Sequence, residues 1–312
     1  MDKKEIEKHL KAGEIAWEAQ QEAKKILQPN CSLFEAAEKI EEFIIKKGAK
    51  PAFPVNLSLN EEAAHHTPEW NDKLLLRDRD LLKVDIGVHV EGRIADCAFS
   101  LNHDGRWQAL IEASELALKN ASALLEKNPS LGEIGAEIQK TIEGKGFKPV
   151  QNLTGHSLEL YAQHAPPSIP NTYKNDSRKI EENKAFAIEP FATNGDGFVR
   201  DSMESGIFEI DEPRNTRNPH ARKILEFAVE NYKTLPFAER WLAREMKLSE
   251  FELKIGLRHL LREKCIKAFP VLKERKDCMV SQAENSFIKS ENKILTIIAL
   301  RKNNAGSPES SG

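Results

Sequence analysis

The chain has 312 residues, 40% hydrophobic and 30% charged, with 46 Lys and Arg against 49 Asp and Glu and a formal net charge of −3. That length buries a sizeable core as one large domain or two ordinary ones, and 16 glycines with 15 prolines exclude collagen-like and disordered classes. No global basic excess is available to hold a nucleic-acid backbone, so no specific DNA binding is expected. The four cysteines, Cys31, Cys97, Cys265 and Cys278, form no CxxC pair, which points to reduced thiols and a cytoplasmic location rather than a disulfide or zinc-ribbon framework. The stretch ILTIIAL, 294–300, falls far short of the roughly 20 apolar residues of a membrane span. The start, MDKKEIEKHLK, has no apolar region of a secretory signal.

Apolar Ile6, Leu10, Ile15 and Ala16 recur at helical spacing and predict a helix over 2–28. Ser32 with Glu35 predicts a capped second helix that runs to about Lys47 and stops before Gly48. Prolines 51, 54 and 68 mark 51–70 as a loop with brief strands. From Leu81 the period becomes two, and 81–101 reads as a hairpin. Helices are expected over 107–127 and 131–144, the second capped by Ser130 and Glu133. Short strands alternate with Pro/Gly-rich loops over 149–210. A charged, strongly helical block is expected over 218–275, with one helix opened by Ser249. Strand-like pieces, VSQAENSFI and ILTIIAL, follow, and the tail 302–312 is expected to be disordered.

The hairpin carries the first chemical signal. A two-residue turn at Glu91-Gly92 pairs Val90 with Arg93, Gly87 with Asp96 and Asp85 with Ala98. Val84, Ile86, Val88, Ala95, Cys97 and Phe99 then share an apolar face, while Asp85 and Asp96 become diagonal neighbours on the other. Gly87, opposite Asp96, would leave space where their oxygens meet. Two buried acids on one face need a cation between them; acids pointing at solvent from a one-sided sheet would not.

Other ligand-type residues stand on apolar ground. His156 and His164 lie in TGHSLELYAQHA, Glu189 in AFAIEPFAT, Glu284 in MVSQAENSFI, and His65 and His66 in AAHHTP. Taken singly, each has an ordinary reading: a core histidine, a carboxylate paired with an arginine, an exposed strand acid. Together, two Asp, one His and two Glu suit a pair of divalent ions bridged by carboxylates, with oxygen-rich ligands favouring Mn, Fe or Co over a thiolate-type zinc site.

These segments resemble the dinuclear pita-bread metallopeptidases. VDIGVHVEGRIADCAFS, AFPVNLSLNEEAAHHTP, TGHSLELYAQHA and AIEPFAT are similar to segments of methionine aminopeptidase, over about residues 5–300. AAHHTP and a helical insertion before the fifth acid resemble the type 2 enzymes, in archaeal form. The resemblance implies an α+β fold of two similar halves around a curved antiparallel sheet, with a catalytic domain over 1–300 interrupted by an insertion subdomain at 218–275. It implies two divalent ions (Co, Mn, Fe or Zn) on Asp85, Asp96, His156, Glu189 and Glu284. It further implies that His65 contacts the substrate carbonyl or intermediate and that His164 contacts the scissile amide. It implies too that Glu189 moves the proton and that Phe53 walls the methionine pocket. The implied activity is removal of initiator methionine from nascent chains by metal-activated hydroxide attack, in a cytoplasmic monomer with nascent N-termini, and potentially the ribosome, as partners. Gln163, in place of an aliphatic residue, and Ile207, where some relatives carry a histidine, depart from the pattern and bear on pocket shape.

Two alternatives stand beside this reading. A prolidase or aminopeptidase P type exopeptidase shares the five ligands but selects proline, and no group for that is identifiable. A non-catalytic pita-bread protein that binds RNA or ribosomes would lack ligands, and all five are present. The basic stretches RNTRNPHARK (214–223) and VLKERKD (271–277) could touch RNA or form a solvated charged face.

Overall fold

The structure is a computed structural model that describes residues 1–298; the expected disordered tail at 302–312 and the last residues of the expected 1–300 body lie outside them. Helix α1 (Lys3–Ile26) is opened by Asp2, whose side chain accepts from the Glu5 N–H while Glu5 returns to the Asp2 N–H. Helix α2 (Leu33–Lys46) is capped by Ser32, as its sequence predicts. The first covers the hairpin of strands Leu82–Val90 and Arg93–Leu101, and the second packs on the first and on the short strands beside the hairpin. The hairpin register matches the expected one, Gly87 opposite Asp96 and Asp85 opposite Ala98. Glu91 and Gly92 take positive φ of 49° and 82° in the turn. Strands Lys50–Pro51 and Asn56–Leu59 flank Leu82–Val90. Ile15, Ala19, Val84, Ile86, Val88 and Cys97 share one buried core.

The second half repeats the plan. Helices α3 (Gln108–Leu124) and α4 (Leu131–Gly144) pack beside a five-stranded antiparallel sheet. Its order is Lys293–Thr296, Asn285–Ser290, Lys184–Ile188, Thr154–Glu159, Ala162–Pro170. Leu110, Ile134, Ile138, Phe186 and Phe287 form its core. The halves meet where Ala98 and Glu284 exchange backbone hydrogen bonds, at 3.4 and 3.0 Å. This is the expected α+β architecture, two similar halves around curled antiparallel sheet.

Helices α5 (Pro219–Asn231), α6 (Glu239–Glu245) and α7 (Glu250–Arg262) form a third packed group around Ile224, Trp241, Leu253 and Leu257. Asn218 caps α5 through bonds from the His220 and Ala221 N–H groups, with Pro219 next. The helices stop short of the expected 275. Residues Ile266–Lys273 form a strand between Arg200–Ile210 and Glu62–Ala64. IKAFPVLK has no helical period, and Pro270 would break a helix. A two-residue strand, Phe237–Ala238, also pairs with Arg200–Ile210.

Candidate metal centre

The sequence-predicted ligands converge on the seam between the halves. Asp85 and Asp96 come from the hairpin. His156 sits opposite Ala187 in the neighbouring strand pair, and Glu189 follows directly after Lys184–Ile188. Glu284 is fixed by its backbone bonds to Ala98, the hairpin partner of Asp85. Asp96 is held through its backbone: its N–H donates to Ser286 Oγ at 2.8 Å, and that hydroxyl donates back to the Asp96 carbonyl at 2.6 Å.

Asp96, His156 and Glu284 are all buried, with one ligand atom from each lying within 4.8 Å of the others. His156 Nε2 stands 3.8 Å from Asp96 Oδ2 and 3.4 Å from Glu189 Oε1. His156 Nδ1 faces the Ser157 carbonyl at 3.4 Å, an oxygen that can only accept. Nδ1 therefore carries the ring proton and Nε2 presents a lone pair to two carboxylates. That is the arrangement of a metal-ligating imidazole, whose other nitrogen donates to a backbone carbonyl.

Electrostatics point the same way. Burial, with Gln282 bonding in opposition, pushes the Asp85 carboxyl up to about 7. Burial and then the neighbouring Asp85 push Asp96 well above the usual carboxylate range. Burial and the other acids do the same to Glu189 and Glu284. Burial drives His156 down to about 4. Oδ1 of Asp85 and Oδ1 of Asp96 are buried without a hydrogen-bond partner. Two buried acids, Asp96 and Glu284, two part-buried ones, Asp85 and Glu189, orphaned oxygens and a bare imidazole nitrogen fit divalent cations, and nothing among the described residues supplies the missing positive charge. The alternative readings of Glu189 as an arginine partner and of Glu284 as an exposed strand acid do not hold: Glu284 is 5% exposed, and Glu189 faces His156.

The cavity beside these acids holds about 450 Å³, within the usual range for small ligands. Phe53, Ile207, Pro236 and Phe269 give it an apolar wall; His65, His164 and Gln163 add polar groups. The His164 ring stands edge-on to His156 at 4.5 Å and 6.5 Å from His65. Burial lowers both His65 and His164 and keeps them neutral. His65, the residue after strand Glu62–Ala64, takes a positive φ of 64°. Its Nδ1 faces the Pro270 carbonyl at 3.2 Å, which leaves Nε2 as the acceptor of the neutral ring. His66 turns elsewhere, to the Leu57 carbonyl at 2.8 Å and to Glu62.

One expectation is corrected. The space over Gly87 does not belong to the two aspartates; the Phe53 ring fills it. Phe269, Pro236 and Gln282 escaped the sequence reading. Gln282 donates to Glu284 Oε2 at 3.5 Å and bonds Asp85. A glutamine two positions before a candidate acid, on the same face of the strand-like piece, was its available signal.

Known proteins share both the sequence and the fold of this chain. The chain is 42% identical over 286 residues to a methionine aminopeptidase of Methanocaldococcus jannaschii, which covers 92% of the chain and 96% of that relative. The fold is shared with the structure of a thermophilic Arx1, at TM-score 0.81 and 14% identity over 95% of this chain and 91% of that one. It is shared also with a methionine aminopeptidase from Thermotoga maritima, at TM-score 0.69 and 20% identity over 96% and 98%. The model of metallopeptidase family M24 matches residues 7–213. The chain therefore belongs to metallopeptidase family M24.

Proposed function

We propose that this chain removes the N-terminal methionine from newly made polypeptides by metal-dependent hydrolysis. The observation that carries the reading is the buried convergence of Asp96, His156 and Glu284, with Asp85 and Glu189 beside them, next to an apolar-walled cavity. Asp85, Asp96, His156, Glu189 and Glu284 would hold two divalent ions, of Co, Mn, Fe or Zn. Bound there, such ions supply Lewis-acid polarisation of a carbonyl and a hydroxide at neutral pH.

The chain's own side chains do the rest. Phe53, Ile207, Pro236 and Phe269 form an apolar wall suited to a thioether side chain. His65, neutral with Nδ1–H on Pro270, accepts at Nε2 a proton-bearing group of the substrate or intermediate. A substrate carbonyl oxygen can only accept, so the expected carbonyl contact requires His65 to gain a proton at Nε2. His164, beside His156, contacts the scissile amide. Glu189 takes a proton at a carboxylate oxygen from the attacking water and passes it to the departing amine nitrogen as the C–N bond breaks.

The substrates are nascent N-termini, and we place the work in the cytoplasm, near the ribosome, in a monomer. Among the described residues no helix is long and apolar enough to cross a membrane. The basic stretches favour the solvated-face reading over RNA contact: Arg214 pairs with Glu212, Lys273 with Glu62 and Arg275 with Asp196. The test sets metal-loaded protein against Met-Ala-Ser and a Leu-Pro dipeptide. Methionine release with the dipeptide left intact supports the reading; preferential cleavage of the dipeptide overturns it in favour of a prolidase-type activity.

A further inference from the structure

Arg240, on α6, is the largest fully buried side chain among the described residues. A buried guanidinium is costly unless its donors are met by acceptors. Nη1 donates to Glu41 Oε2 at 2.6 Å and to Glu38 Oε1 at 2.7 Å. Nη2 donates to Glu41 Oε1 and, at 3.2 Å, to the Thr67 hydroxyl. Glu41 accepts twice more, from Trp241 Nε1 at 2.7 Å and from the Val55 N–H at 2.9 Å. The Thr67 hydroxyl in turn donates to the Val55 carbonyl at 2.8 Å.

Both backbone groups of Val55 thus end on partners of Arg240. Val55 stands two residues after Phe53, and Thr67 two residues after His65. Pro236, four residues before Arg240, lines the catalytic cavity, and Ala238 pairs with Ile207, another wall. The segments that carry Phe53, His65, Ile207 and Pro236 are therefore tied to one guanidinium. The candidate ligands are fixed by other means, Asp96 by Ser286 and Glu284 by Ala98.

We infer that Arg240 is a positioning residue: from the helical segment it holds the substrate-facing walls of the cavity while leaving the metal centre to the two halves. The inference rests on the activity proposed above. The fork geometry matters, because only a planar guanidinium bridges Glu41 at both oxygens while also reaching Glu38 and Thr67. The helices are then part of the active site's construction although none of their side chains is a candidate ligand.

The experiment uses Arg240→Lys, which keeps the charge but loses the fork, and Thr67→Val, which removes only the hydroxyl. In metal-free protein, hydrogen exchange at the Val55 amide should quicken about tenfold or more in Arg240→Lys, with Leu82–Leu101 unchanged. In metal-loaded protein, kcat/KM on Met-Ala-Ser should fall about 10–100-fold in Arg240→Lys and less in Thr67→Val. Calorimetric Mn²⁺ affinity should stay within about twofold of the parent in both, a split that general loosening of the fold would not produce. Unchanged Val55 exchange, unchanged kcat/KM in both variants, or metal affinity falling in step with activity would overturn the inference. If Arg240→Lys does not fold, Thr67→Val decides on the same readouts. A parent that cleaves no Met-Ala-Ser refutes the proposed activity instead, and positioning is then judged from Val55 exchange and peptide affinity.

Discussion

The Phe53 ring occupies the volume that any side chain at position 87 would need: a Cβ added to Gly87 would lie 2.1 Å from Phe53 Cε1. Gly87 faces Asp96 across the hairpin, so one glycine serves both the seat of the ring and the strand that carries the acids. Gly87→Ala should push the ring into the cavity, cost about 1–3 kcal/mol of stability from overpacking, and raise KM for Met-Ala-Ser while metal stoichiometry holds. Chemical denaturation, steady-state kinetics and metal analysis check the three parts. A variant with parental KM would show that Phe53 does not shape the substrate site.

Asp96→Asn should move metal binding and stability in opposite directions. Burial and Asp85 hold the Asp96 carboxyl above its ordinary value, so in metal-free protein its ionisation opposes folding. Its contribution is present at low pH and lost as pH rises. Removing the charge should make the metal-free variant more stable than the metal-free parent at pH 8, while metal stoichiometry and activity fall. Thermal melts with and without Mn²⁺ check it; a variant that keeps full metal content removes Asp96 from the ligand set.

The adjacent histidines should separate cleanly. His65→Ala should lower turnover by about 10²–10⁴, the range for groups that act on the reacting atoms. His66, bound to the Leu57 carbonyl and Glu62, should act mainly through stability. Kinetics on both variants at matched metal occupancy decide, and a larger rate loss in His66→Ala reverses the assignment.

A pH effect remote from the metal centre is expected at His89. Burial, then Lys50 and Lys233, pushes His89 down to about 4. Its Nδ1 accepts the Gly92 N–H at 3.0 Å, a bond that protonation of Nδ1 would break, and the Tyr161 ring stands edge-on at 5.6 Å. The folded value is below the unfolded one, so the contribution is full above pH 6.5 and is lost as pH falls toward 4. The total is about 3 kcal/mol. His89→Gln should flatten stability against pH in that window relative to the parent, both measured without metal. Parallel curves would contradict the neutral, buried imidazole.

Much of the site was legible because its determinants are local. Glu91-Gly92 sets the hairpin register, the register puts Asp85 and Asp96 on one face, and the remaining acids stand out on apolar strands. The ends of the helical block were less legible, since charge and helix formers run on into Ile266–Lys273, where only Pro270 and the loss of period mark the change. What the sequence could not show is contact between distant segments. Arg240 meets Glu41 across 199 residues, and Phe53 meets Gly87 through shape alone. Neither pairing leaves a period or a motif.

Asp85, Asp96, His156, Glu189 and Glu284 are proposed to build a metal-dependent methionine aminopeptidase site. The most direct measurement titrates metal-stripped protein with Mn²⁺ or Co²⁺ while following methionine release from Met-Ala-Ser and its N-acetylated form. The expected result is no release without metal, activity that rises with metal bound and then saturates, and no cleavage of the acetylated peptide. Release from the metal-free protein, or rapid cleavage of the acetylated peptide, would contradict it.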